Sequence, residues 1–394
     1  MTAREIFIVA AARTAIGTFG GSLKDIPMVQ LATTAVREAI TRSGVEAASV
    51  GHVVMGNVIP TEPRDAYLAR VAAIEAGIPQ ETPAFNVNRL CGSGLQAIVS
   101  AAQTLILGEA EIAIGGGAES MSRGPYIVPA ARWGARMGDI QATDYVPGIL
   151  HDPFHKIHMG ITAENVADRD GITREMQDAL ALESQRRAAR AIAEGRFKSQ
   201  IVPVEIASRK GTVVFDTDEH VRADTSLDQL AKMKPAFKSD GTVTAGNASG
   251  LNDGAAAVVL ATAEAVKSSG LKPMARLVTY AHAGVDPKLM GLGLVPASRL
   301  ALKRAGLSTT DLDVIESNEA FAAQACAVTR ALELDPAKVN PNGSGISLGH
   351  PVGATGAIIA TKAIYELQRV NGRYALVTMC IGGGQGIAAI FERA

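Results

Sequence analysis

Two cysteines and one histidine lie in glycine-rich stretches, where a side chain can reach a ligand. Cys91 lies in Asn88-Arg-Leu-Cys91-Gly-Ser-Gly94, between an extended run and a predicted helix. A thiol at a helix N-terminus feels the positive end of the macrodipole, which favours the nucleophilic thiolate. The amide N–H groups that follow could also hold an oxyanion. The usual alternative is a buried, inert cysteine, and this motif alone leaves the two interpretations evenly matched.

His350 and Cys380 have similar surroundings. His350 lies among glycines at a predicted loop-to-helix junction, in Gly349-His350-Pro-Val-Gly353, and the ordinary pKa of histidine suits proton transfer near neutral pH. The alternative is a turn histidine bonded to the backbone. Cys380 ends a predicted strand before Gly382-Gly-Gly384, and the ends of parallel strands are a common place for active sites. A phosphate-binding loop is disfavoured because no Lys-Ser or Lys-Thr follows the glycines.

Asn318 and Glu319 open a fourth motif, Asn318-Glu-Ala-Phe-Ala-Ala-Gln324, just after a predicted strand at Val314–Glu316. Asn318 could position a water molecule or polarise a carbonyl. A helix cap followed by a first-turn acid is the structural alternative, and it is compatible with the functional one.

These motifs depend on alternating strands and helices. The predicted strands are Ile6–Ala10, Val50–Met55, Ile112–Gly115, Gly254–Ala261, Val314–Ile315, Ala375–Thr378 and Ile387–Phe391. The predicted helices in these regions are Val29–Arg42, Gly94–Leu107 and Gly353–Leu367. This alternation predicts a mostly parallel sheet that is covered on both faces.

Residues 121–249 have a different texture, with long polar stretches, and we interpret them as an insertion. Thr173 is predicted to cap a charged helix that runs to Ala193. The order helix, strand, triple glycine occurs at residues 92–117 and again at 353–384. Duplication of one topology explains this better than chance similarity between glycine-rich turns.

The composition excludes several classes of protein. The 394 residues are 47% hydrophobic and 20% charged with a net charge of −1, which is typical of a globular protein and not of a nucleic-acid or anionic-membrane binder. No apolar stretch approaches the ~20 residues that span a bilayer, so we expect a cytoplasmic protein. The three cysteines form no C-x-x-C pair for zinc, and Cys326 is interpreted as structural.

Taken together, the four motifs resemble the four signature blocks of the thiolases, the coenzyme A-dependent acetyltransferases. The resemblance runs from Ala12-Arg-Thr-Ala-Ile-Gly17 to Gly386, and it includes His158-Met-Gly-Ile-Thr-Ala-Glu-Asn165 and Gly246-Asn-Ala-Ser-Gly-Leu-Asn-Asp-Gly254. Shorter sequence runs, such as Ala131-Arg-Trp-Gly-Ala-Arg-Met-Gly138, are similar to those of bacterial β-ketothiolases of the polyhydroxyalkanoate type.

The resemblance implies an α/β fold with duplicated five-stranded mixed sheets in layers α-β-α-β-α, plus an inserted loop domain. The implied parts are residues 1–120 with 250–272 for the N-terminal half, 121–249 for a loop domain that binds coenzyme A, and 273–394 for the C-terminal half. It also implies a homotetramer, for which the loop-like stretches Ile59–Leu68 and Arg123–Met137 give weak support.

The resemblance also implies a reversible Claisen condensation. Cys91, deprotonated with help from His350, attacks an acyl thioester, and Cys380 then removes a proton from the methyl group of acetyl-CoA. One oxyanion hole is formed by His350 with a water held by Asn318, and the other by the N–H groups of Cys91 and Gly382. Coenzyme A thioesters are the substrates, and no metal or redox cofactor is needed.

Further residues are implied to bind coenzyme A or to line the acyl pocket: Leu150, His158, Met159, Arg222, Phe237, Ser249 and Met290. A solvated surface is the alternative for His158 and Arg222. Ser317 stands where the family usually has Ala, and Tyr67-Leu-Ala-Arg-Val71 stands where acetoacetyl-forming relatives often have Asn-Pro-Ala-Arg-Gln. We expect Val71, with Leu68, to give the acyl pocket a more apolar wall that admits propionyl groups.

Other functions stay open at this point. A strict acetoacetyl-CoA thiolase and a degradative 3-ketoacyl-CoA thiolase are the nearest alternatives. A decarboxylating ketosynthase of the same fold is disfavoured by the second cysteine, Cys380. A non-catalytic acyl-CoA-binding protein is disfavoured by the presence of all four reactive positions, and a nucleotide-binding regulator by the lack of a phosphate loop.

Overall fold

Strands and helices alternate along the chain in the computed structural model, which describes residues 4–209 and 211–394. The strands are β1 (Ile6–Thr14), β2 (Gly17–Thr18), β3 (His52–Gly56), β4 (Ala84–Val87), β5 (Ile112–Ser120), β6 (Tyr126–Ile127), β7 (Thr143–Asp144), β8 (Ile201–Val202), β9 (Val204–Ser208), β10 (Gly211–Phe215), β11 (Asn252–Thr262), β12 (Ala275–Gly284), β13 (Val314–Ser317), β14 (Tyr374–Ile381) and β15 (Gln385–Arg393).

The α-helices are α1 (Met28–Ser43), α2 (Leu68–Glu75), α3 (Ser93–Ile106), α4 (Tyr145–Ile149), α5 (Met159–Asp170), α6 (Arg174–Ala193), α7 (Leu227–Ala231), α8 (Ala263–Ser268), α9 (Leu294–Ala305), α10 (Ala322–Ala331), α11 (Gly345–Leu348) and α12 (Val352–Val370). The predicted cap of α6 is confirmed, since the Thr173 hydroxyl accepts the Met176 N–H at 3.3 Å. The strand β12 and the helices α5 and α9 were not predicted.

The central sheet is mixed, so the expectation of a mostly parallel sheet is wrong. Its main path is β13-β14-β15-β12-β1-β11-β5-β3-β4. Parallel pairing joins β3 to β4 and β5, and β13 to β14, whereas β1–β11, β11–β5, β12–β15 and β14–β15 are antiparallel. One physical reason is a tight turn: Gly383 and Gly384, with φ of 80° and 82°, reverse the chain directly from β14 into β15. Glycine adopts this left-handed conformation without strain.

The two halves of the sheet repeat one strand order. The first half runs β4-β3-β5-β11-β1, and the second runs β13-β14-β15-β12 with Val339 bridged in parallel to Ile315 in the place of a fifth strand. The halves join where Phe7 and Ile8 of β1 pair with β12. The duplicated mixed sheet is thereby confirmed, although the second half has four strands and a bridge. The exact boundaries of the three parts stay a prediction.

Helices α3 and α12 pack against each other between the two halves, and each is preceded by a candidate catalytic residue. A Cβ added at Gly94 would lie 2.7 Å from the amide nitrogen of Ala357, and one at Gly356 would lie 2.3 Å from that of Leu95. Only glycine permits this backbone contact. The close crossing brings together the N-terminal ends of the two helices, and with them Cys91 and His350.

Three glycines predicted to follow a strand lie inside β5 instead. Gly115, Gly116 and Gly117 pair with both β3 and β11. A Cβ at Gly115 would lie 2.6 Å from the Cα of Ile98, so the glycine lets α3 approach the strand. The sequence did not indicate that these glycines belong to the strand, because a run of glycines lacks the side chains by which strands are recognised.

The region between β5 and β11 contributes helices α4 to α7 and the hairpin β9–β10. Helices α5 and α6 pack on α10, so this region is attached to the second half. Across residues 4–209 and 211–394, no helix combines the length and apolarity that crossing a membrane requires.

Candidate active site

One cavity of about 470 Å³ collects almost every predicted site residue. Those that line it are Cys91, Leu150, His158, Met159, Arg222, Phe237, Ser249, Met290, His350, Cys380 and Gly382. Asn318 does not line it, since it is buried and contacts the ring of His350. Residues from both halves and from the inserted region therefore meet at one place.

A tight turn presents Cys91 at the start of α3. Leu90, which precedes it, has a left-handed φ of 46°, a conformation that costs a non-glycine residue about 1–3 kcal/mol. Ser93 stabilises the turn, since its hydroxyl donates to the Leu90 carbonyl at 2.6 Å and accepts the Arg89 N–H at 2.9 Å. The Asn88 side chain accepts the Leu90 N–H at 2.9 Å. Strain held in place beside a nucleophile is a recurring feature of active sites.

His350 is buried and oriented by two neighbours. Its backbone N–H donates to Oδ1 of Asn252 at 2.9 Å. Its Nδ1 lies 2.6 Å from the hydroxyl oxygen of Thr355, and that hydroxyl donates its own proton to the Pro351 carbonyl at 2.9 Å. Because a hydroxyl has one proton, Thr355 accepts the Nδ1–H. This assignment leaves Nε2 unprotonated and free to accept a proton.

Asn318 lies directly after β13, where its N–H donates to the Thr378 carbonyl at 3.0 Å. Its side-chain Nδ2 lies 3.5 Å from Nε2 of His350. Its Oδ1 is buried and has no hydrogen-bond partner within residues 4–209 and 211–394. The helix-cap alternative is wrong, because α10 begins at Ala322 with Phe321 at the N-cap.

Cys380 and Gly382 come from the end of β14 and the turn that follows. The Cys380 side chain is 1% exposed. The backbone N–H of Gly382 acts on the Cys91 thiol and lowers its pKa. A Cβ at Gly382 would lie 3.2 Å from Cδ1 of Leu90, so a side chain there would crowd the turn that presents Cys91.

Burial determines the protonation of all three groups. It raises the pKa of the Cys91 thiol to about 11, although hydrogen bonds from the Gly382 and Cys91 N–H groups oppose the shift. It lowers the pKa of His350 to about 4 and raises the pKa of Cys380. At neutral pH the free site therefore holds two thiols and a neutral imidazole. The expectation that the helix dipole stabilises a Cys91 thiolate is wrong for the empty site, because desolvation is the larger effect.

The outer part of the cavity is built by the inserted region. The ring of His158 stacks on Phe237, with centroids 4.6 Å apart and an interplanar angle of 16°, and its Nδ1 accepts the Gly160 N–H at 3.0 Å. Its Nε2 therefore carries the proton of the neutral ring and can donate to a ligand. Arg222 is exposed at the mouth, where a second pocket of about 300 Å³ continues.

Some functional neighbours were missed in the sequence. Thr355 and Asn252 orient His350, and His220 lines both the main cavity and the outer pocket. Burial, with the nearby Arg222 charge, lowers the pKa of His220 to about 4. Asn252 lies in a quoted motif and Thr355 lies in the predicted helix Gly353–Leu367, but only the folded chain gives their partners.

One other sequence expectation needs correction. Leu68 is fully buried in the core and Val71 packs against that core, and neither lines the cavity, so the apolar-wall argument from α2 is wrong. Cys326 is half-buried on α10 and lines a separate cavity, with its thiol 3.7 Å from the Met176 carbonyl.

No group of three or more His, Cys, Asp or Glu residues that could hold a metal ion occurs within the described residues.

Comparison with known proteins identifies the family of the chain. The profile of the thiolase N-terminal domain matches residues 6–264, and that of the thiolase C-terminal domain matches residues 271–393. The chain is 68% identical over 391 residues to beta-ketothiolase BktB of Cupriavidus necator, covering 99% of each chain. It is 51% identical to an acetyl-CoA acetyltransferase of Syntrophomonas wolfei, again over 99% of each.

Solved structures give the same result. Human mitochondrial 3-ketoacyl-CoA thiolase superposes with a TM-score of 0.97 at 47% identity, covering 99% of each chain. The acetyl-CoA acetyltransferase of Bacillus anthracis superposes with a TM-score of 0.97 at 48% identity, covering 100% of this chain and 99% of that one. With the two profiles spanning nearly the whole sequence, the chain belongs to the thiolase family.

Proposed function

We propose that this protein is a β-ketothiolase that catalyses the reversible condensation of acetyl-CoA with an acyl-CoA to give a 3-ketoacyl-CoA. The observation that carries the proposal is the convergence of Cys91, His350, Cys380 and Gly382 on one cavity. Two thiols and a base fit a non-decarboxylating condensation, because that reaction needs a nucleophile and a separate base that removes a proton from carbon. The 68% identical relative, beta-ketothiolase BktB, supports the same activity.

In the first half-reaction, Cys91 becomes acylated. The Cys91 proton moves to the unprotonated Nε2 of His350, and the sulfur attacks the acyl thioester carbonyl. The oxyanion is held by the N–H groups of Cys91 and Gly382. When the intermediate collapses, the coenzyme A thiolate leaves and takes a proton from Cys380. The products are acyl-Cys91, coenzyme A, a His350 imidazolium and a Cys380 thiolate.

In the second half-reaction, the Cys380 thiolate removes a proton from the methyl group of acetyl-CoA. The enolate oxygen accepts a hydrogen bond from the protonated Nε2 of His350. The Asn318 amide also stabilises the enolate oxygen, through a bound water. The enolate carbon attacks acyl-Cys91, the Cys91 thiolate leaves, and it regains its proton from His350. Thiolysis is the same path in reverse, and no proton is gained or lost overall.

The low pKa of His350 and the high pKa of Cys91 oppose the first proton transfer in the empty site. A substrate carbonyl in the Gly382 oxyanion site couples that transfer to bond formation, so the charge passes to the oxyanion rather than staying on sulfur. Burial then works in favour of turnover, because a desolvated Cys380 thiolate is a stronger carbon base.

Coenzyme A enters from the side of the inserted region. We propose that Leu150, Met159 and Phe237 contact the pantetheine arm, that His158 donates to it through Nε2, and that Ser249 lies alongside. These residues line the outer cavity. Arg222 is exposed beside the outer pocket, where a guanidinium can pair with phosphate or adenine groups of the nucleotide.

The acyl pocket admits more than an acetyl group. Its wall near Cys91 is apolar and is built by Val58, Leu90, Met121, Ile149, Met290 and Val352. One added methylene gains up to about 0.8 kcal/mol on burial where there is room. Met290 can change rotamer to give that room, since its thioether chain is flexible. We therefore propose propionyl-CoA as a substrate beside acetyl-CoA, and with it C5 as well as C4 products, as suits polyhydroxyalkanoate synthesis.

We further propose a homotetramer in the cytoplasm. Trp133 and Met137 are 89% and 94% exposed in the loop between β6 and β7, and large apolar side chains so exposed favour contact with another subunit. Sedimentation or light scattering at micromolar concentration tests the tetramer, and a Trp133→Ser/Met137→Ser variant tests whether this loop holds it together.

The activity is tested by thiolysis. Purified protein is mixed with coenzyme A and acetoacetyl-CoA, and loss of the 3-ketoacyl-CoA is followed together with appearance of acetyl-CoA. We expect turnover that Cys91→Ser abolishes, and no release of CO₂ from malonyl-CoA. Turnover of malonyl-CoA in place of acetyl-CoA would instead assign a decarboxylating ketosynthase.

A further inference from the structure

Another, much smaller cavity lies beside the His350–Asn318 contact, and we call it the rear chamber. It has a volume of about 10 Å³, close to the space that one water molecule requires. Its polar lining consists of Asn318, Ser344, Thr355 and Lys362. Thr355 is the residue that accepts the Nδ1–H of His350, so the chamber adjoins the catalytic histidine through it.

Two buried polar atoms of the rear chamber residues lack partners. Oδ1 of Asn318 and the hydroxyl of Ser344 have no hydrogen bond to any of residues 4–209 or 211–394. A buried polar group without a partner costs about 1–3 kcal/mol. Two of them on the wall of one water-sized cavity form the setting in which proteins retain an ordered water.

Lys362 supplies a third group. It is 1% exposed, and its ammonium donates to Oε2 of Glu316 at 2.7 Å and to the Gly343 carbonyl at 2.6 Å. An ammonium has three N–H donors, so one remains after these two bonds. The ion pair keeps the buried charge compensated, while the third donor is available to the chamber that Lys362 lines.

We infer that the rear chamber holds one water molecule, bound by Ser344, Lys362 and Oδ1 of Asn318, that fixes the orientation of the Asn318 amide. The water donates to Oδ1 and accepts from the ammonium or the hydroxyl. With Oδ1 engaged there, Nδ2 is directed to the His350 side, where it lies 3.5 Å from Nε2. Ser344 and Lys362 are thus positioning residues for a donor at the oxyanion site.

The inference rests on the proposed function, in which the Asn318 amide serves the enolate oxygen. If the water is lost, the amide can rotate by half a turn and present an oxygen, in place of an N–H donor, to the developing enolate. The enolate step then slows. Acylation of Cys91 is spared, because its oxyanion is held by the N–H groups of Cys91 and Gly382.

Two assays separate the effect on the enolate step from the effect on acylation. Exchange of the acetyl-CoA methyl protons for deuterium, followed by NMR, reports on the enolate, and mass spectrometry of Cys91 reports on acylation. For Ser344→Ala we expect exchange to slow at least about tenfold, and at most by the ~10²–10³-fold that complete loss of an oxyanion donor costs, with acylation within about twofold of wild type. The double variant Lys362→Met/Glu316→Gln, which removes both charges together, is expected to behave in the same way.

Ser347→Ala is the matched control. Ser347 is a buried serine of the adjoining helix α11, bonded to Ser184 and to the Ser344 carbonyl, and it does not line the rear chamber. Its variant should retain wild-type exchange. A high-resolution crystal structure of the wild type should contain the water.

The outcomes distinguish this inference from the proposed function. A wild type that neither acylates Cys91 nor exchanges the methyl protons overturns the proposed function. A wild type that does both, with a Ser344→Ala variant that exchanges as fast or a chamber that is dry in the crystal, overturns the inference alone. Ser344→Ala keeps the ion pair intact, so it remains decisive even if the double variant fails to fold.

Discussion

Replacing Thr355 by Val removes the acceptor that fixes the tautomer of His350 while keeping the shape of the side chain. In the wild type, the Nδ1–H donates to Thr355 at 2.6 Å inside a buried site. Valine leaves that N–H without a partner, at a cost of about 1–3 kcal/mol. The ring then favours the other tautomer, whose protonated Nε2 cannot accept the Cys91 proton.

That cost predicts a slower proton transfer from Cys91. With about 1.4 kcal/mol per tenfold change in rate, acylation of Cys91 should slow about 5- to 150-fold. The KM for acetyl-CoA should change little, because Thr355 does not line the main cavity. Rapid-quench mass spectrometry of Cys91 after mixing with acetyl-CoA measures the acylation rate directly.

Thr361→Val is the matched control for Thr355→Val. Thr361 is also buried on α12, and its hydroxyl donates only to the Ala357 carbonyl at 2.9 Å. It should acylate at the wild-type rate, and any loss of helix stability should be similar in the two variants. An acylation rate for Thr355→Val within twofold of wild type would refute the tautomer argument.

Three other predictions follow from the site. Cys380→Ser should still acylate Cys91 but fail in condensation, and loss of acylation as well would merge the roles of the two cysteines. Since burial raises the pKa of Cys91 to about 11, alkylation of Cys91 by iodoacetamide should rise about tenfold per pH unit from about pH 7 to pH 10. A plateau below pH 8 would instead indicate a preformed thiolate. The kcat/KM for 3-ketovaleryl-CoA should lie within about a thousandfold of that for acetoacetyl-CoA, and a lower ratio would indicate a strict acetoacetyl-CoA enzyme.

Much of the site could be predicted from motifs because glycine-rich turns mark where strands end and helices begin. Cys91, His350 and Cys380 line one cavity although they are spread over nearly 300 residues of sequence. Helix α6 was predicted from its cap and its long charged pattern, both of which are local signals.

What could not be predicted depends on contacts between distant segments. The pKa of Cys91 reflects desolvation by both halves of the fold, which outweighs the local helix dipole. The antiparallel pairing of β1 with β11 joins residues about 250 positions apart, so no local sequence pattern predicts it. Thr355 can accept from His350 because its hydroxyl gives its one proton to the Pro351 carbonyl, and that arrangement requires the folded turn.

Labelling of the acyl-enzyme tests the central claim most directly. The protein is incubated with acetyl-CoA labelled in the acetyl group, quenched in acid and digested, and the cysteine peptides are analysed by mass spectrometry. We predict one acetyl label, on Cys91, that is released as labelled acetoacetyl-CoA when unlabelled acetyl-CoA is added before the quench. Label on Cys380 or Cys326, or no covalent label while turnover continues, would contradict the assignment of Cys91 as the nucleophile.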